Sequence, residues 1–385
     1  MVASMARRGP GAGGVARWSS AVLGRSRLAV LDPGPAGNQP MVSEDGSCGV
    51  VFNGCIYNFQ ELRRELEARG RPFRSNSDTE ALLRGYMEWG AEALVARLRG
   101  MFAFGVWDDR ERKLTLARDR LGVKPLIYAE AGNRLAFAST VAALRRAGFT
   151  GGVDPQAVLE FLEFGYVTED RTIYQGARKL PAGAILEWRN GKLTQQAYWT
   201  APEPDESRAI TFDEAVDRTE ELLIEAVRLR LYADVPLGVL LSGGVDSALV
   251  CWALKRLNAS VTAFTVATPG EAGDESGDAE RTARLLGVPH RVMTLPAEEP
   301  ELMDELVDAY AEPFGCSSAL GMLRLARAIK PVATVLLTGD GGDDVFLGYP
   351  FHKHFWMAQR LARLLPEVAP GAWRLLRPCL AGGGA

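Results

Sequence analysis

The densest chemistry in the chain lies in Ser242-Gly243-Gly244-Val245-Asp246-Ser247, entered from the apolar run Val239-Leu240-Leu241. The run continues as Ser247-Ala248-Leu249-Val250-Cys251-Trp252-Ala253-Leu254, which reads as strand, tight turn, helix. Glycines let the backbone approach a charged ligand, and a helix N-terminus points unpaired N–H groups at an anion. Ser242 and Ser247 add hydroxyls, and Asp246 offers a carboxylate to a metal riding on the same anion. The arrangement suits a pyrophosphate cradle, retaining the two phosphates that ATP loses when it adenylates a carboxylate. It is no Walker A loop: the spacing differs and no Lys follows the glycines.

A second constellation, Thr338-Gly339-Asp340-Gly341-Gly342-Asp343-Asp344, follows the apolar run Thr334–Leu337. Carboxylates set among glycines place negative charge on a backbone able to wrap a ligand, which suits Mg²⁺ held between protein and phosphates. The spacing is wrong for an EF-hand, and the closing Glu is missing. Loops at the carboxyl ends of parallel strands line one crevice, so this loop is expected to face Ser242, with Asp246 and Asp340 on the metal.

These loops need a scaffold. From Thr211-x-x-Glu214, a capping box, Phe212, Val216, Thr219, Leu223 and Val227 share one helical face. Apolar runs Val239–Leu241, Val261–Val266 and Val332–Leu337 alternate with helices Ser247–Lys255 and Ala279–Leu286. That βαβ order predicts an α/β doubly wound parallel sheet. Residues 1–199 read differently. Ser26–Leu31, Gly49–Phe52, Met101–Trp107, Lys113–Ala117, Arg134–Ala138 and Ala184–Trp188 are expected strands; Phe59–Arg69, Ser77–Trp89 and Ala91–Leu98 are expected helices. Hairpin-like strands with interspersed helices predict an α+β sandwich of antiparallel sheets. The Pro-rich acidic stretch from Thr200 to Arg208 marks a linker, giving domains 1–199 and 211–385 joined by 200–210.

Composition agrees. The chain has 385 residues, 47% hydrophobic and 24% charged, enough for about two domains. A net charge of −4 supplies no field for nucleic acid. No apolar run approaches the about 18 residues a membrane span needs. The cysteines at 48, 55, 251, 316 and 379 lack metal spacing and read as reduced, cytoplasmic thiols; His290, His352 and His354 form no ligand cluster.

With both loops placed, the chain resembles the glutamine-hydrolysing asparagine synthetases, which join an N-terminal-nucleophile glutaminase domain to an ATP-pyrophosphatase-type synthetase domain. The resemblance rests on Arg8-Gly9-Pro10, Arg27-Leu28-Ala29-Val30, Gln39-Pro40-Met41, Asn53-Gly54-Cys55-Ile56-Tyr57-Asn58, Ser77-Asp78-Thr79-Glu80 and Gly100-Met101-Phe102-Ala103-Phe104. It continues through Arg118-Asp119-Arg120-Leu121-Gly122-Val123-Lys124-Pro125-Leu126, Asp234-Val235-Pro236, the Ser242 loop, and the Thr338 loop to Gly348-Tyr349. It implies Arg27 on the glutamine carboxylate, Asp78 on its amino group, and Asn53 with Gly54 as oxyanion hole, with Leu28, Ala29, Val30, Leu31 and Cys55 completing the pocket. In the synthetase half it implies that Leu240, Val266, Thr338 and Gly339 hold ATP, that Ser242, Gly243, Gly244, Asp246 and Ser247 hold pyrophosphate, and that Asp340 and Asp343 serve the aspartyl-adenylate. The implied substrates are ATP with Mg²⁺, aspartate, and glutamine or ammonia, and a homodimer is one assembly open to the family.

The departures from the family pattern are specific. Position 2 is Val where the family's processed N-terminus is Cys, Gly11 stands for an Asp, and Cys55 stands for a Glu. No segment before Ala385 matches the family's later Lys-bearing helix, so the chain is expected to be truncated at both ends. Two further readings compete: a β-lactam-synthetase-like amide ligase, whose members also lack the N-terminal Cys, and a non-catalytic nucleotide-binding remnant.

Overall fold

Alternation along the strands of the first half decides how its layers stack. The computed structural model describes residues 1–11, 13–168, 170–203, 210–267, 273–294, 301–316, 318–364 and 371. The first half runs β1 (Gly13–Arg17), β2 (Val22–Ser26), β3 (Met41–Val42), β4 (Cys48–Ile56), α1 (Phe59–Ala68), α2 (Asp78–Arg97), β5 (Gly100–Asp108) and β6 (Lys113–Arg118). It continues with β7 (Ile127–Ala131), β8 (Arg134–Ala138), α3 (Val141–Arg146), α4 (Pro155–Phe164), β9 (Ala177–Lys179), β10 (Ala184–Arg189) and β11 (Lys192–Ala197). One six-stranded antiparallel sheet has the order β11-β10-β6-β5-β4-β3, and a three-stranded sheet the order β8-β7-β9.

Val50 and Phe52 of β4, with Phe104 and Val106 of β5, meet Leu62, Leu82 and Leu94 of α1 and α2. Their neighbours Val51, Ala103 and Trp107 face the other way, onto Leu126, Tyr128 and Leu180 at the smaller sheet. Val141 and Leu144 of α3 cover that sheet's far side at Ile127 and Ala129. The period of two thus yields helix, sheet, sheet, helix, the α+β sandwich expected.

The second half comprises α5 (Phe212–Arg230), β12 (Leu237–Leu240), α6 (Val245–Arg256), β13 (Thr262–Ala267), α7 (Ser276–Leu286), β14 (His290–Thr294) and α8 (Glu301–Tyr310). It ends with α9 (Ala319–Ile329), β15 (Val335–Leu337), α10 (Gly342–Phe346) and α11 (Pro350–Leu364). Its sheet is parallel throughout, in the order β14-β13-β12-β15. Val239 and Leu241 turn to Val227, Cys251, Leu254 and Ala283 of α5, α6 and α7. Leu240, Phe264 and Val266 turn to Leu325 and Ile329 of α9. Helices on both faces make this a doubly wound α/β unit.

Two local expectations change, the strand at Ser26–Leu31 and the apolar stripe of α5. The stretch Ser26–Leu31 is not a strand: β2 ends at Ser26, and the residues beyond it wrap a side chain. The two expected helices Ser77–Trp89 and Ala91–Leu98 are the two arms of α2, which meet at a kink where Gly90 leaves the helical region with φ 76° and ψ 175°. The capping box forms, Thr211 N donating to Glu214 Oε2 at 2.8 Å and Glu214 N to Thr211 Oγ1 at 3.2 Å. Its apolar stripe is only half used, however: Leu223 and Val227 join the core while Phe212 and Val216 stay exposed. Linker residues 204–209, Cys379 and the tail from 372 lie outside the described residues; among the described residues, Cys48, Cys55, Cys251 and Cys316 are free thiols. No helix among the described residues is long and apolar enough to cross a membrane.

Candidate functional site

A buried guanidinium organises the first site. Arg27, only 6% exposed, donates from Nη2 to Leu31 O at 2.8 Å and Asp32 O at 2.6 Å. Its Nη1 donates to Asn38 Oδ1 at 3.2 Å and Gly34 O at 3.4 Å. The carbonyls of Leu31, Asp32 and Gly34 go to this side chain, so the chain beyond β2 curls round the guanidinium as a loop. Nε makes no hydrogen bond among the described residues, so one cationic donor remains for a ligand.

Facing it is the N-terminus of α2. Ser77 caps the helix, its Oγ accepting from Thr79 N at 3.1 Å. Asp78 is buried and accepts Ile56 N–H at 3.0 Å. Burial pushes its carboxyl up to about 6, against the pull of that hydrogen bond, of the Thr79 N–H and of the Arg27 charge. Gln39 ties the walls together, donating to Thr79 Oγ1 at 2.9 Å and accepting from Phe52 N at 2.7 Å. Between them lies an open pocket that also meets Leu28, Val30, Leu31, Gly54 and Cys55. A cation on one wall and a carboxylate on the other match the two charged ends of an α-amino acid.

Asn53 lies beyond that cavity, lining an adjoining one between the two sheets, and Ala29 lines neither. The Asn53 side-chain Nδ2 is buried without a partner. Buried orphan donors are uncommon, and one beside a ligand cavity is what stabilising a developing oxyanion requires. Gly54 has φ 155°, and a Cβ there would strike Met101 O and come within 2.8 Å of Phe102 Cα. Only glycine lets β4 close on β5 at this point. The Cys55 thiol is pushed up to about 12 by burial and then by the Asp78 charge, so it stays protonated and is a poor nucleophile.

Gly37 offers a test of the arginine cradle. A Cβ there would meet Asp32 O and, at 2.5 Å, Arg27 Nη2. Gly37→Ala should lower stability by about 1–3 kcal/mol by overpacking and weaken binding of L-glutamine. Urea unfolding and calorimetric titration measure the two, and unchanged values in both would show that the guanidinium has room to spare.

The second site lies at the carboxyl ends of β12 and β15, which are hydrogen-bonded neighbours. Ser242 N donates to Ser247 Oγ at 3.1 Å, the two hydroxyls lie 3.0 Å apart, and Gly244 N donates to Ser242 Oγ at 3.1 Å. The Thr338 loop presses directly on this one. A Cβ on Gly339 would come within 2.8 Å of Ser247 N and 2.9 Å of Asp246 Cβ, and one on Gly342 would run into the Asp246 carboxylate. Asp340 is exposed, its Oδ2 accepting from Thr338 Oγ1 at 2.9 Å. The Tyr349 phenol is raised by the Asp344 charge first, then by desolvation and by the charges of Asp343, Asp340 and Asp246. Leu240 and Val266 sit under the loops against the α9 core. Asp246, Asp340, Asp343, Ser242, Ser247 and Gly339 are therefore neighbours in space.

Glu275 is a participant that the sequence does not single out. Its carboxylate accepts Gly243 N–H at 2.8 Å, placing an anionic oxygen on the backbone donor expected to meet a phosphate. Its position just ahead of α7, across the sheet edge from residue 243, gives no local signal. That donor's readiness to take an anionic oxygen fits a phosphate. Among the described residues no three His, Cys, Asp or Glu side chains converge as a metal cage. A magnesium ion here would draw on Asp246 and Asp340 together with phosphate oxygens and water.

Comparison with known proteins follows the same division. The family of glutamine amidotransferase domains matches residues 1–199, and the asparagine synthase family matches residues 218–382. Asparagine synthetase [glutamine-hydrolyzing] 1 of Bacillus subtilis is 32% identical over 349 residues, covering 90% of this chain and 54% of that protein. Amidase chry2 of Gibberella zeae is 33% identical over 372 residues, with the same 90% and 54% shares. The chain thus spans about half the length of these relatives. Among solved structures, glutamine phosphoribosylpyrophosphate amidotransferase from B. subtilis aligns with 74% of this chain and 56% of its own, at 16% identity and a TM-score of 0.36.

Proposed function

The chain belongs to the glutamine amidotransferase family, with an asparagine synthase domain in its second half, and on that premise we propose that it forms an amide at the expense of ATP. In this reading aspartate is activated as its acyl-adenylate, and nitrogen from glutamine or ammonia displaces AMP. The observation that carries it is the wedge of Asp246 between two glycine-rich loops at the ends of adjacent parallel strands. The Ser242–Ser247 backbone and the N-terminus of α6 would take the β- and γ-phosphates. Asp246 and Asp340 would hold a magnesium ion, which neutralises phosphate charge as pyrophosphate leaves. Asp343 would stand beside the amino acid. In the first half, Arg27 Nε and Asp78 would clamp the α-carboxylate and α-ammonium of glutamine, with the orphan Asn53 amide stabilising the tetrahedral oxyanion.

ATP–pyrophosphate exchange by the purified chain, with aspartate, is the test. Asp246→Asn should weaken Mg-ATP by about 100-fold, ~2.7 kcal/mol, because no neutral group replaces a carboxylate on a phosphate-bound metal. Asp340→Asn should impair exchange more than it weakens Mg-ATP binding. Unchanged ATP affinity in Asp246→Asn removes the loop from the site. The amidase-named relative favours a second reading, in which the adenylated carboxylate belongs to another acid. Exchange that ignores aspartate but responds to another acid in a carboxylic-acid panel would select it.

A further inference from the structure

The residue that joins the two halves at the first site is Asp234, in Asp234-Val235-Pro236 just ahead of β12. Its Oδ2 accepts Asp32 N–H at 2.8 Å, and its own N–H donates to Val30 O at 3.0 Å. Val30 and Asp32 belong to the loop whose carbonyls hold the Arg27 guanidinium. We propose that Asp234 is a positioning residue for amino-acid recognition: by fixing the backbone at Val30 and Asp32, the second half of the chain sets the Arg27 guanidinium against its ligand.

Three features of the geometry support this. Asp32 has φ 46°, in the left-handed region that is disfavoured for a non-glycine residue and is kept where the surroundings hold it. The restraints are Arg27 Nη2 on its carbonyl, Asn76 N on its carboxylate at 2.9 Å, and Asp234 on its N–H. Of these, only Asp234 comes from the second half. Second, Asp234 is exposed and belongs to neither core, so its hydrogen bonds act on the loop rather than on overall packing. Third, the same stretch packs on the chain just beyond Cys55, which lines the cavity opposite Arg27. The Tyr232 ring meets Phe59 edge-on at 5.2 Å, and the Arg230 guanidinium lies 4.6 Å above the Tyr57 ring. Tyr57 follows Ile56, whose N–H binds Asp78. Residues 230–234 therefore brace both the cationic and the anionic side of the pocket.

The inference rests on the reading of this cavity as a glutamine site, and the experiment separates the two. L-Glutamine is titrated calorimetrically into the full 385-residue protein, into Asp234→Ala and into Asp234→Asn, with Mg-ATP titrations and thermal unfolding alongside. Asp234→Ala should weaken L-glutamine about 10-fold. Asp234→Asn, whose amide oxygen still accepts Asp32 N–H, should return to within about twofold of the parent. Mg-ATP affinity should not change in either. A parent protein that ignores L-glutamine overturns the glutamine reading, and this proposal with it. Parental binding by Asp234→Ala, or an Asn variant as weak as Ala, overturns the positioning role alone. So does an Ala variant lacking a cooperative unfolding transition, since Asp234 would then be a structural residue.

Discussion

Asp119→Ala should cost about 3–5 kcal/mol of folding stability, the largest loss expected from any single side chain outside the hydrophobic cores. Asp119 is 1% exposed. Its Oδ1 accepts Leu121 N–H at 3.2 Å and Val123 N–H at 2.9 Å, and its Oδ2 accepts Lys124 N–H at 3.0 Å and Phe102 N–H at 3.2 Å. Arg118 completes the turn, donating to Lys124 O at 2.9 Å, Leu180 O at 2.7 Å and Gly122 O at 2.7 Å. Together these side chains shape the connection from β6 in the large sheet to β7 in the small one. Removing the carboxylate strands four N–H donors, that of Phe102 buried and those of Leu121, Val123 and Lys124 partly buried; a buried one costs about 1–3 kcal/mol, with part of the total regained by relaxation or water. Asn offers one oxygen in place of two and aims an NH₂ at other donors, so it should rescue little. Urea unfolding should show a lower midpoint at unchanged slope. A loss under about 1 kcal/mol would mean that water replaces the carboxylate and that this motif is not what joins the sheets.

The same motif shows what the sequence reveals and what it hides. Arg118-Asp119 is conspicuous in the sequence as a charged run, yet the structure spends both charges on backbone groups, some of them distant. The Ser242 and Thr338 loops were legible because their chemistry is local: glycines, hydroxyls and carboxylates lie within a few residues, and parallel β-order brings neighbouring loops together. Ser26–Leu31 looks like a strand because Leu28-Ala29-Val30-Leu31 is an apolar run, yet the Arg27 guanidinium binds the Leu31 and Asp32 carbonyls and bends the chain into a loop. For a related reason, Glu275 has no signal in the sequence, and Asp234 stands out there only within Asp234-Val235-Pro236, with no partner indicated. Each is an exposed acid whose partner, Gly243 or Asp32, is far away along the chain. The unused half of the α5 stripe makes the complementary point, since periodicity marks a face able to be buried and neighbours decide how much of it is.

Asp78→Asn should separate ligand recognition from stability, losing L-glutamine by about 100-fold or more while making the protein harder to unfold at pH 8. The carboxyl stands at about 6 instead of 3.8, chiefly through burial. Because the folded value is the higher one, the folded state holds a proton between about 4 and 6 that the unfolded chain has released. Stability contributed by this group therefore falls as pH rises through that window, and above it the buried charge costs its full amount, on the order of 2–3 kcal/mol at 1.36 kcal/mol per unit. Asn keeps an oxygen for Ile56 N–H and carries no charge to bury. Its advantage over the parent should be present at pH 8 and vanish near pH 4. An ammonium group needs the ionised carboxylate, so parental affinity for L-glutamine should drop nearly tenfold per pH unit below about 6, whereas the variant should show weak, pH-independent binding. Keeping a costly charge in place for a ligand is the trade between stability and activity common at functional sites. Thermal unfolding at pH 8 and pH 4, with calorimetry from pH 5 to 8, measures both halves. An Asn variant less stable than the parent at pH 8, or parental binding that is flat below pH 6, would show that the ionised Asp78 is not the group that receives the ammonium.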